Sequence, residues 1–370
     1  MPVTELRVEG YRSIRSLTLP MKRVNVIVGP NGCGKSNLYQ AIGLLRAAAE
    51  GTLARTLVRE GGMPSVLWAG PRKDGPVRLK IGVSFDEYDY DLEVGLPQPS
   101  ITLFGLDPLV KSEKIMRREG ARKIVLLDRN SASFKVRDAR GGMREEYLSL
   151  SASASILSQL VDAQQYPILD DVRRRLLKWR FYHEFRSDRD SAMRRPQVAT
   201  RTLVMSSDGS DLAAALQTVI ENGDGEGLMA SVKDAFPGAE LIIQGSAQGL
   251  SVGMHYPGLD RPMNVRELSD GTLRYLCLLA AFFSPAPAPL MALNEPETSL
   301  HSSLLPPLAR LIARGSETSQ IWLTTHAGDI ADMVSELCKV RPIELDRVDG
   351  ETVRAGRPRN AAYHVDWDGS

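Results

Sequence analysis

The fold of this chain is decided by one stretch, Gly29-Pro30-Asn31-Gly32-Cys33-Gly34-Lys35-Ser36. It follows an apolar run over residues 24–28, which predicts a short buried strand, and it precedes residues 37–45, whose spacing predicts a helix. A glycine-rich loop that ends in Gly-Lys-Ser between a strand and a helix is a P-loop. The glycines let successive backbone N–H groups turn toward phosphate oxygens, and the start of the following helix adds to that positive field.

The loop predicts a binding site for a nucleoside triphosphate with Mg²⁺. Lys35 is expected to reach the β- and γ-phosphates, and the Ser36 hydroxyl is expected to ligate the metal. The alternative is a glycine-rich turn that matches the pattern by chance. The predicted nucleotide-binding residues in and beside the loop are Gly29, Pro30, Asn31, Gly32, Cys33, Gly34, Lys35, Ser36 and Asn37.

Length and composition indicate a water-soluble globular protein of about two domains, or one large α/β domain with an insertion. The 370 residues are 43% hydrophobic and 25% charged, which is ordinary for this class. Lys+Arg number 46 against 45 Asp+Glu, for a formal net charge of +1. The charge of the whole chain therefore argues neither for nor against a nucleic-acid partner, and only a local patch could decide.

Cysteines and apolar runs bear on the compartment. Cys33, Cys277 and Cys338 lie far apart, so they predict neither a disulfide framework nor a metal site, and a reducing cytoplasm fits best. The N-terminus shows no signal-peptide pattern. The most apolar run, residues 275–283, is too short to span a bilayer and predicts a buried helix. We therefore expect a cytoplasmic protein without membrane contact.

The pattern of elements divides the chain into three predicted segments. Residues 1–148 carry the P-loop and a run of short strands, with weaker strand signals at residues 101–103, 123–127 and 133–136, which predicts an antiparallel sheet. Residues 149–236 change to helical spacing and predict a helical insertion, with one helix expected over residues 172–182. Residues 237–370 alternate strands with helices, which predicts a mostly parallel sheet flanked by helices. The predicted class is thus an α/β P-loop fold with an antiparallel subdomain and a helical insertion.

Three further sets of polar residues lie at the start of, or directly after, predicted helices and strands of the last segment. Ser269 and Gly271 lie at the start of a predicted helix. They can form an anion-binding site there, and the alternative is that the serine is an ordinary N-cap. Asn294 and Glu295 follow an apolar strand, and His326 follows the next one. Ligands bind at this carboxyl edge of α/β sheets, so Glu295 is placed to activate a water. The alternatives are a solvated acidic loop and a structural histidine.

The ordered set of motifs resembles the ABC-type ATPase heads of the RecF/SMC/OLD group and the bacterial AAA family of predicted ATPases. Leu268-Ser269-Asp270-Gly271-Thr272 resembles the signature motif, and Asn294-Glu295-Pro296-Glu297 resembles the Walker B motif with its catalytic glutamate. Ser299-Leu300-His301 resembles the D-loop, His326 the switch histidine, and Gly10-Tyr11-Arg12-Ser13-Ile14 the N-terminal turn.

The resemblance implies a mechanism. ATP and Mg²⁺ are the expected cofactors, and two copies are expected to meet head to tail with two ATP molecules between them. Ser269 and Gly271 of the other copy would cap the γ-phosphate, Glu295 would activate water, and His326 would sense the γ-phosphate. Lys35 would act on the same phosphates, and Arg12 would lie near the base or the phosphates. Hydrolysis would then let the two heads part.

Asn294 stands where the family has the Walker B aspartate. It keeps one carbonyl acceptor but loses the negative charge beside Mg²⁺, so we expect metal binding to weaken by about tenfold or more. The predicted activity is slow hydrolysis, and the alternative is an ATP-sensing scaffold that does not hydrolyse ATP and regulates a partner effector. The family's Q-loop glutamine cannot be assigned among Gln159, Gln164, Gln165 and Gln197.

A basic stretch between Arg173 and Arg201 bears on the biological output. Interleaved aromatic residues, among them Trp179 and Tyr182, are typical of a nucleic-acid surface. The alternative is an amphipathic helix whose aromatics are core and whose arginines pair with Asp170, Asp171, Glu184, Asp188 and Asp190. The competing roles are therefore DNA repair or maintenance, with DNA as a partner, and anti-phage defence beside a separate nuclease or toxin.

Overall fold

A computed structural model describes residues 2–71, 77–98, 101–120, 122–138 and 141–356. The strands in this part of the chain are β1 (Val3–Tyr11), β2 (Ile14–Pro20), β3 (Val24–Val28), β4 (Arg78–Phe85), β5 (Tyr88–Gly95), β6 (Leu109–Glu119), β7 (Arg122–Asn130), β8 (Ser133–Arg137), β9 (Met143–Glu146), β10 (Arg180–Tyr182), β11 (Glu240–Ser246), β12 (Gly249–His255), β13 (Met263–Asn264), β14 (Leu290–Asn294), β15 (Gln320–Thr324), β16 (Ile343–Val348) and β17 (Glu351–Arg354). The α-helices are α1 (Lys35–Glu50), α2 (Leu53–Arg59), α3 (Met63–Val66), α4 (Ile156–Gln159), α5 (Pro167–Leu177), α6 (Leu212–Asn222), α7 (Gly225–Ala235), α8 (Asp270–Phe282), α9 (Leu305–Gly315) and α10 (Gly328–Cys338), with 3-10 turns at Ala192–Arg194 and Ser302–Leu304.

The elements form two compact units, and each unit combines segments that are distant in sequence. The first unit takes the described residues of Met1–Lys22, Gly29–Trp179 and Ile343–Ser370. The second unit takes Arg23–Val28 and Arg180–Pro342. The division into three consecutive segments follows chain order and remains a prediction.

The first unit is built on an antiparallel sheet with the strand order β2-β1-β4-β5-β6-β7-β8-β9. Helix α1 contacts β1, β4 and the helices α2, α4 and α5. Its apolar residues, among them Leu38, Ile42 and Leu45, are buried at helical spacing, which is why this segment is an amphipathic helix. The helix ends at Gly51, whose φ of 77° gives the left-handed C-cap that glycine favours.

A buried polar network joins the middle of this sheet to the chain that follows it. Glu113 on β6 and Arg129 on β7 are both 0% exposed, and their side chains form an ion pair at 2.8 Å. Arg129 also donates to the carbonyls of Ser131, Ser151 and Ala154, at 2.9, 2.9 and 2.7 Å. Glu113 in turn accepts from the hydroxyl of Tyr90 at 2.8 Å. The ion pair is thus fully hydrogen-bonded, as a buried pair must be.

The second unit contains parallel strands in the order β10-β14-β15-β3. All five residues of β14 and of β15 are buried, which is typical of a parallel sheet covered on both faces. Helix α8 holds the apolar run predicted as a buried helix, and most of its residues are buried. A separate antiparallel sheet, β11-β12-β13, completes the unit. Because the strands are parallel, Asn294 and Thr324 end their strands side by side at one edge.

Antiparallel and parallel sheets with flanking helices confirm the predicted fold class, and three local predictions are wrong. Strand β6 was not predicted, because its buried Glu113 breaks the apolar alternation. The weak strand expected at residues 101–103 is irregular and exposed. The helix expected over residues 172–182 ends at Leu177, and Arg180–Tyr182 instead pairs with β14 as strand β10. The predicted helical insertion therefore contains a strand.

None of the helices in the described ranges combines the length and the hydropathy that a membrane span requires.

Candidate functional site

The P-loop connects the end of β3 to the start of α1, as predicted. Gly34 precedes the helix with φ of 110°, in the region that glycine favours. A Cβ added there would lie 2.1 Å from the Thr352 Oγ1, so the backbone packs directly against β17. Any larger residue at position 34 would displace the loop.

A chain of hydrogen bonds within the first unit supports the loop from behind. The Thr352 hydroxyl donates to the Cys33 carbonyl at 2.8 Å, so the Ser13 hydroxyl must be the donor in its 2.7 Å contact with Thr352. Asn37 Nδ2 then donates to the Ser13 Oγ at 2.8 Å. These contacts hold the predicted residues Cys33 and Asn37 in place. Thr352 and Cys33 are more than three hundred residues apart in the sequence, so no local sequence pattern indicates this contact.

The predicted phosphate-binding groups differ in exposure. Lys35 is buried, and its Nζ donates to the carbonyls of Gly29 and Pro30 at 2.7 and 3.2 Å, so the ammonium lies inside the loop. By contrast, four other residues of the predicted set are exposed and accessible to a ligand: Pro30, Asn31, Gly32 and Ser36.

Arg12 lies beside the start of α1. Its guanidinium is 3.4 Å from the Asn37 Oδ1, donates to Gln40, and forms an ion pair with Glu60 at 3.1 Å. Arg12 also has a φ of 47°, a left-handed conformation that is strained for a residue with a side chain. Burial raises the pKa of the neighbouring Tyr11 well above its usual range. The charge of Glu60, whose carboxylate accepts a hydrogen bond from the Tyr11 hydroxyl, raises this pKa further. The structure thus places Arg12 with Asn37, as the predicted site requires.

In the second unit, Asn294 is buried at the end of β14 with both polar side-chain atoms bonded. Its Oδ1 accepts from the Thr324 hydroxyl at 2.6 Å. Its Nδ2 is 2.7 Å from the Nδ1 of His183, the residue after β10. Because an amide nitrogen only donates, the His183 Nδ1 accepts, and a neutral ring then carries its proton on Nε2. Asn294 is therefore half of a His–Asn pair.

Sequence reasoning missed His183. A polar residue directly after a strand was the signal that identified Glu295 and His326. The same signal exists at His183, but the strand before it lay within a predicted helix.

Glu295 and His326 meet at the carboxyl edge of the parallel sheet. The His326 Nδ1 lies 3.5 Å from the Glu295 Oε1 and 3.7 Å from the Glu297 Oε1. Glu295 has a φ of 49°, and its backbone N–H donates to the Thr324 carbonyl at 2.8 Å. Strained backbone of this kind is concentrated at functional sites. Glu297 is buried and accepts from the Thr325 hydroxyl.

The predicted signature residues Ser269 and Gly271 open helix α8. The Ser269 Oγ accepts from the Thr272 N–H at 3.1 Å, so this serine is an N-cap, and its side of the helix is exposed. A Cβ added to Gly271 would lie 2.8 Å from the Ser299 carbonyl oxygen. The start of α8 is therefore packed against the segment that resembles the D-loop.

The part of the basic stretch that lies on α5 takes the alternative form predicted for it. Arg173 and Arg174 pair with Asp170 at 3.1 and 2.7 Å, and Arg175 pairs with Asp171 at 2.7 Å. The aromatic residues Trp179 and Tyr182 are buried in their units. The paired arginines of α5 and the buried rings do not form a surface for bases and phosphates, whereas Lys178, Arg189, Arg195 and Arg201 of the same stretch are exposed.

The solved structures most like this chain include an SMC head bound to the C-winged helix domain of ScpA, with a TM-score of 0.54 at 16% identity over 96% of this chain and 97% of that one. The SMC head domain from Thermotoga maritima aligns with a TM-score of 0.45 at 16% identity, over 97% of this chain and all of that one. At this identity the first match shows the fold alone, which is that of an SMC-head P-loop NTPase.

Sequence comparisons place the chain more narrowly. No curated protein sequence matches it. A family model described as "AAA domain, putative AbiEii toxin, Type IV TA system" matches residues 24–327, which is most of the chain. The match runs from the strand before the P-loop to just past His326 and so includes every motif except the N-terminal turn. The chain therefore belongs to this family of AAA domains.

Proposed function

We propose that this protein binds ATP with Mg²⁺, hydrolyses it slowly, and works as a head-to-tail dimer with two ATP molecules between the copies. The observation that carries the hydrolytic part is the Glu295–His326 contact of 3.5 Å at the ends of two adjacent parallel strands. The buried Lys35 and the supported P-loop carry the binding part. Both sets of residues are proposed to act on one nucleotide, as their order along the chain suggests.

In the proposed reaction each residue has one task. The loop N–H groups and Lys35 bind the phosphates, and Lys35 leaves the Gly29 and Pro30 carbonyls to do so. Glu295 accepts the proton of the attacking water, and His326 donates to a γ-phosphate oxygen. The other copy supplies Ser269 and Gly271 against the same phosphate, where the N-terminus of α8 favours an anion. Loss of the γ-phosphate removes this bridge and separates the copies.

The donor chemistry of the two predicted ligands, Ser36 and Asn294, suits a Mg²⁺ ion that is held mainly by the nucleotide. Mg²⁺ keeps several waters and binds through substrate phosphates with one or two protein oxygens. Ser36 is exposed and offers a hydroxyl, and the Asn294 Oδ1 keeps a second lone pair beside its bond to Thr324. The ion, when bound, would neutralise charge on the phosphates. Because both protein oxygens are neutral, weak metal affinity and slow turnover are expected.

The proposed output is control of a separate effector protein in the cytoplasm. The family description names a toxin and a TA system, which favours a defence role over DNA repair or maintenance. The paired arginines of α5 point the same way. Cys33, Cys277 and Cys338 are all free thiols, which agrees with a reducing compartment. The second candidate is an ATP-sensing scaffold without hydrolysis, favoured by the uncharged Asn294.

The binding and dimer proposals are tested together. Calorimetry with ATP and Mg²⁺ should give saturable binding to the wild-type chain and none to Lys35→Ala, because the ammonium is the main charge in the loop. Analytical ultracentrifugation with a non-hydrolysable ATP analogue should show dimers of the wild type only. Binding without dimers would refute the sandwich, and equal binding by Lys35→Ala would refute the P-loop site. Hydrolysis stimulated by added duplex DNA would restore the repair role.

Asn294→Asp is predicted to lower the Mg²⁺ concentration for half-maximal ATP hydrolysis by about tenfold, because it restores a carboxylate near the ion. The carboxylate would also face the His183 Nδ1, which must then carry a proton, so the ring changes tautomer or charge. The measurement is a Mg²⁺ titration of the hydrolysis rate. Asn130→Asp, at an exposed position of the first unit, is the control for added charge. An unchanged Mg²⁺ requirement together with an unchanged rate would refute the proposed metal role of position 294.

A further inference from the structure

Arg194 is a buried cation in the second unit, at the end of the 3-10 turn Ala192–Arg194. It is only 6% exposed. Burying a guanidinium is costly unless its donors are hydrogen-bonded, so the partners of Arg194 indicate the role of its charge. Its neighbour Arg195 is exposed, and its side chain donates to the Asp190 carbonyl at 2.9 Å.

The partners of Arg194 converge on one loop. Its Nη1 donates to the carbonyls of Val265 and Leu268, both at 2.9 Å, and lies 3.4 Å from that of Arg266. Its Nη2 forms an ion pair with Asp270 at 2.6 Å. One planar guanidinium therefore binds three carbonyls and one carboxylate of residues 265–270, the loop that leads into α8.

The same guanidinium ties this loop to a second segment. Its Nε donates to the Ser187 carbonyl at 2.8 Å, within the chain between β10 and the 3-10 turn. On its other side the loop meets the D-loop-like segment, where Gly271 packs against the Ser299 carbonyl. The position of Ser269 and Gly271 is thus determined by Arg194 on one side and by residue 299 on the other.

We propose that Arg194 is a positioning residue for the ATP-bound dimer, because it holds Ser269 and Gly271 in the arrangement that receives the nucleotide of a second copy. The inference rests on the proposed function, since these residues act only across the dimer. Without the guanidinium, three carbonyls lose a charged donor and the loop can relax. We expect Arg194→Ala to weaken nucleotide-dependent dimerisation by about tenfold or more. ATP affinity of the monomer should change by less than about twofold, because Lys35 and its loop belong to the other unit.

The first experiment measures the dimer dissociation constant by analytical ultracentrifugation with Mg²⁺ and a non-hydrolysable ATP analogue. Arg195→Ala is the matched control, and it should dimerise like the wild type. Arg194→Lys keeps the charge but lacks the planar fork, so it should be intermediate. Circular dichroism and ATP binding by the monomer report whether each variant is folded. If Arg194→Ala does not fold, the comparison of Arg194→Lys with Arg195→Ala decides.

The second experiment separates a positioning role from general destabilisation. Lys35→Ala lacks a working P-loop but keeps its signature residues in position. Arg194→Ala keeps its P-loop, but its signature residues are no longer held in position. Mixed in equal amounts, they can form a dimer in which one site joins the intact P-loop of one copy to the intact signature of the other. The expected result is hydrolysis by the mixture that exceeds the sum of the rates of the two variants measured separately.

The outcomes are distinguishable. If the wild type dimerises and Arg194→Ala dimerises with the same affinity, the role of Arg194 is refuted and the proposed function stands. If Arg194→Ala is defective but the mixture hydrolyses no more ATP than the sum of the two variants alone, its effect is not on the signature loop and the inference is likewise refuted. If the wild type does not dimerise with nucleotide, the proposed dimer fails and the inference falls with it.

Discussion

Replacing Glu295 by glutamine is expected to lower the ATP hydrolysis rate by about 10²–10⁴-fold, the usual contribution of a general base. Glutamine has nearly the same shape but cannot accept the proton of the attacking water. It also removes the charge that faces His326 at 3.5 Å. ATP binding should persist, because Lys35 and the P-loop are untouched, and the ATP-bound dimer should live longer than that of the wild type.

The rate is measured as phosphate release, with Glu336→Gln as the control because Glu336 is exposed on α10. The control should hydrolyse ATP like the wild type. Hydrolysis by Glu295→Gln at the wild-type rate would show that Glu295 is not the base. Loss of ATP binding in the same variant would instead assign Glu295 to the binding site.

Arg129→Ala is expected to lower the free energy of unfolding of the first unit by about 3–5 kcal/mol, as is typical when one partner of a buried ion pair is removed. Glu113 would stay buried without its cation, and the carbonyls of Ser151 and Ala154 would lose their charged donor and keep only the Gln159 amide. The destabilisation should appear in urea unfolding as a lower midpoint.

The control is Arg122→Ala, an exposed arginine on the same strand, which should change stability by no more than about 0.5 kcal/mol. A loss below about 1 kcal/mol for Arg129→Ala would mean that the chain after β9 relaxes without cost. The network would then be incidental to the stability of the sheet.

Local signals explain why the sequence predicted so much of the nucleotide-binding loop and its flanking elements. Strand β3 has the predicted bounds and helix α1 includes the predicted residues 37–45, because a short apolar run, a glycine-rich loop and a helical period are all readable within one stretch. The strands β14 and β15 were equally predictable, since each is a short apolar run with a polar exit. These elements determine where Glu295 and His326 stand.

Non-local contacts explain what the sequence did not predict. Strand β10 exists because residues 180–182 pair with residues 291–293. The helical spacing of the residues before it gave no sign that the helix ends and a strand begins. Strand β6 was hidden by Glu113, whose burial depends on an arginine of another strand. The same holds for His183 beside Asn294 and for Arg194 beside residues 265–270, because each partner is more than seventy residues away. Such pairs show no periodicity that a sequence could display.

The His183–Asn294 contact changes how the substitution at position 294 is understood. From the sequence, asparagine was a weakened aspartate beside the metal. In the structure it is also the donor that determines which nitrogen of His183 carries a proton. Slow hydrolysis and a pure scaffold both remain compatible with this pair, and the rate of the chemical step separates them.

The most direct test is a single-turnover measurement with wild-type protein in excess over radiolabelled ATP and Mg²⁺. The proposed function predicts slow but complete conversion to ADP and phosphate, with no conversion by Lys35→Ala and a conversion about 10²–10⁴-fold slower for Glu295→Gln. ATP that stays bound and intact on the wild-type protein would contradict hydrolysis and leave the ATP-sensing scaffold as the function.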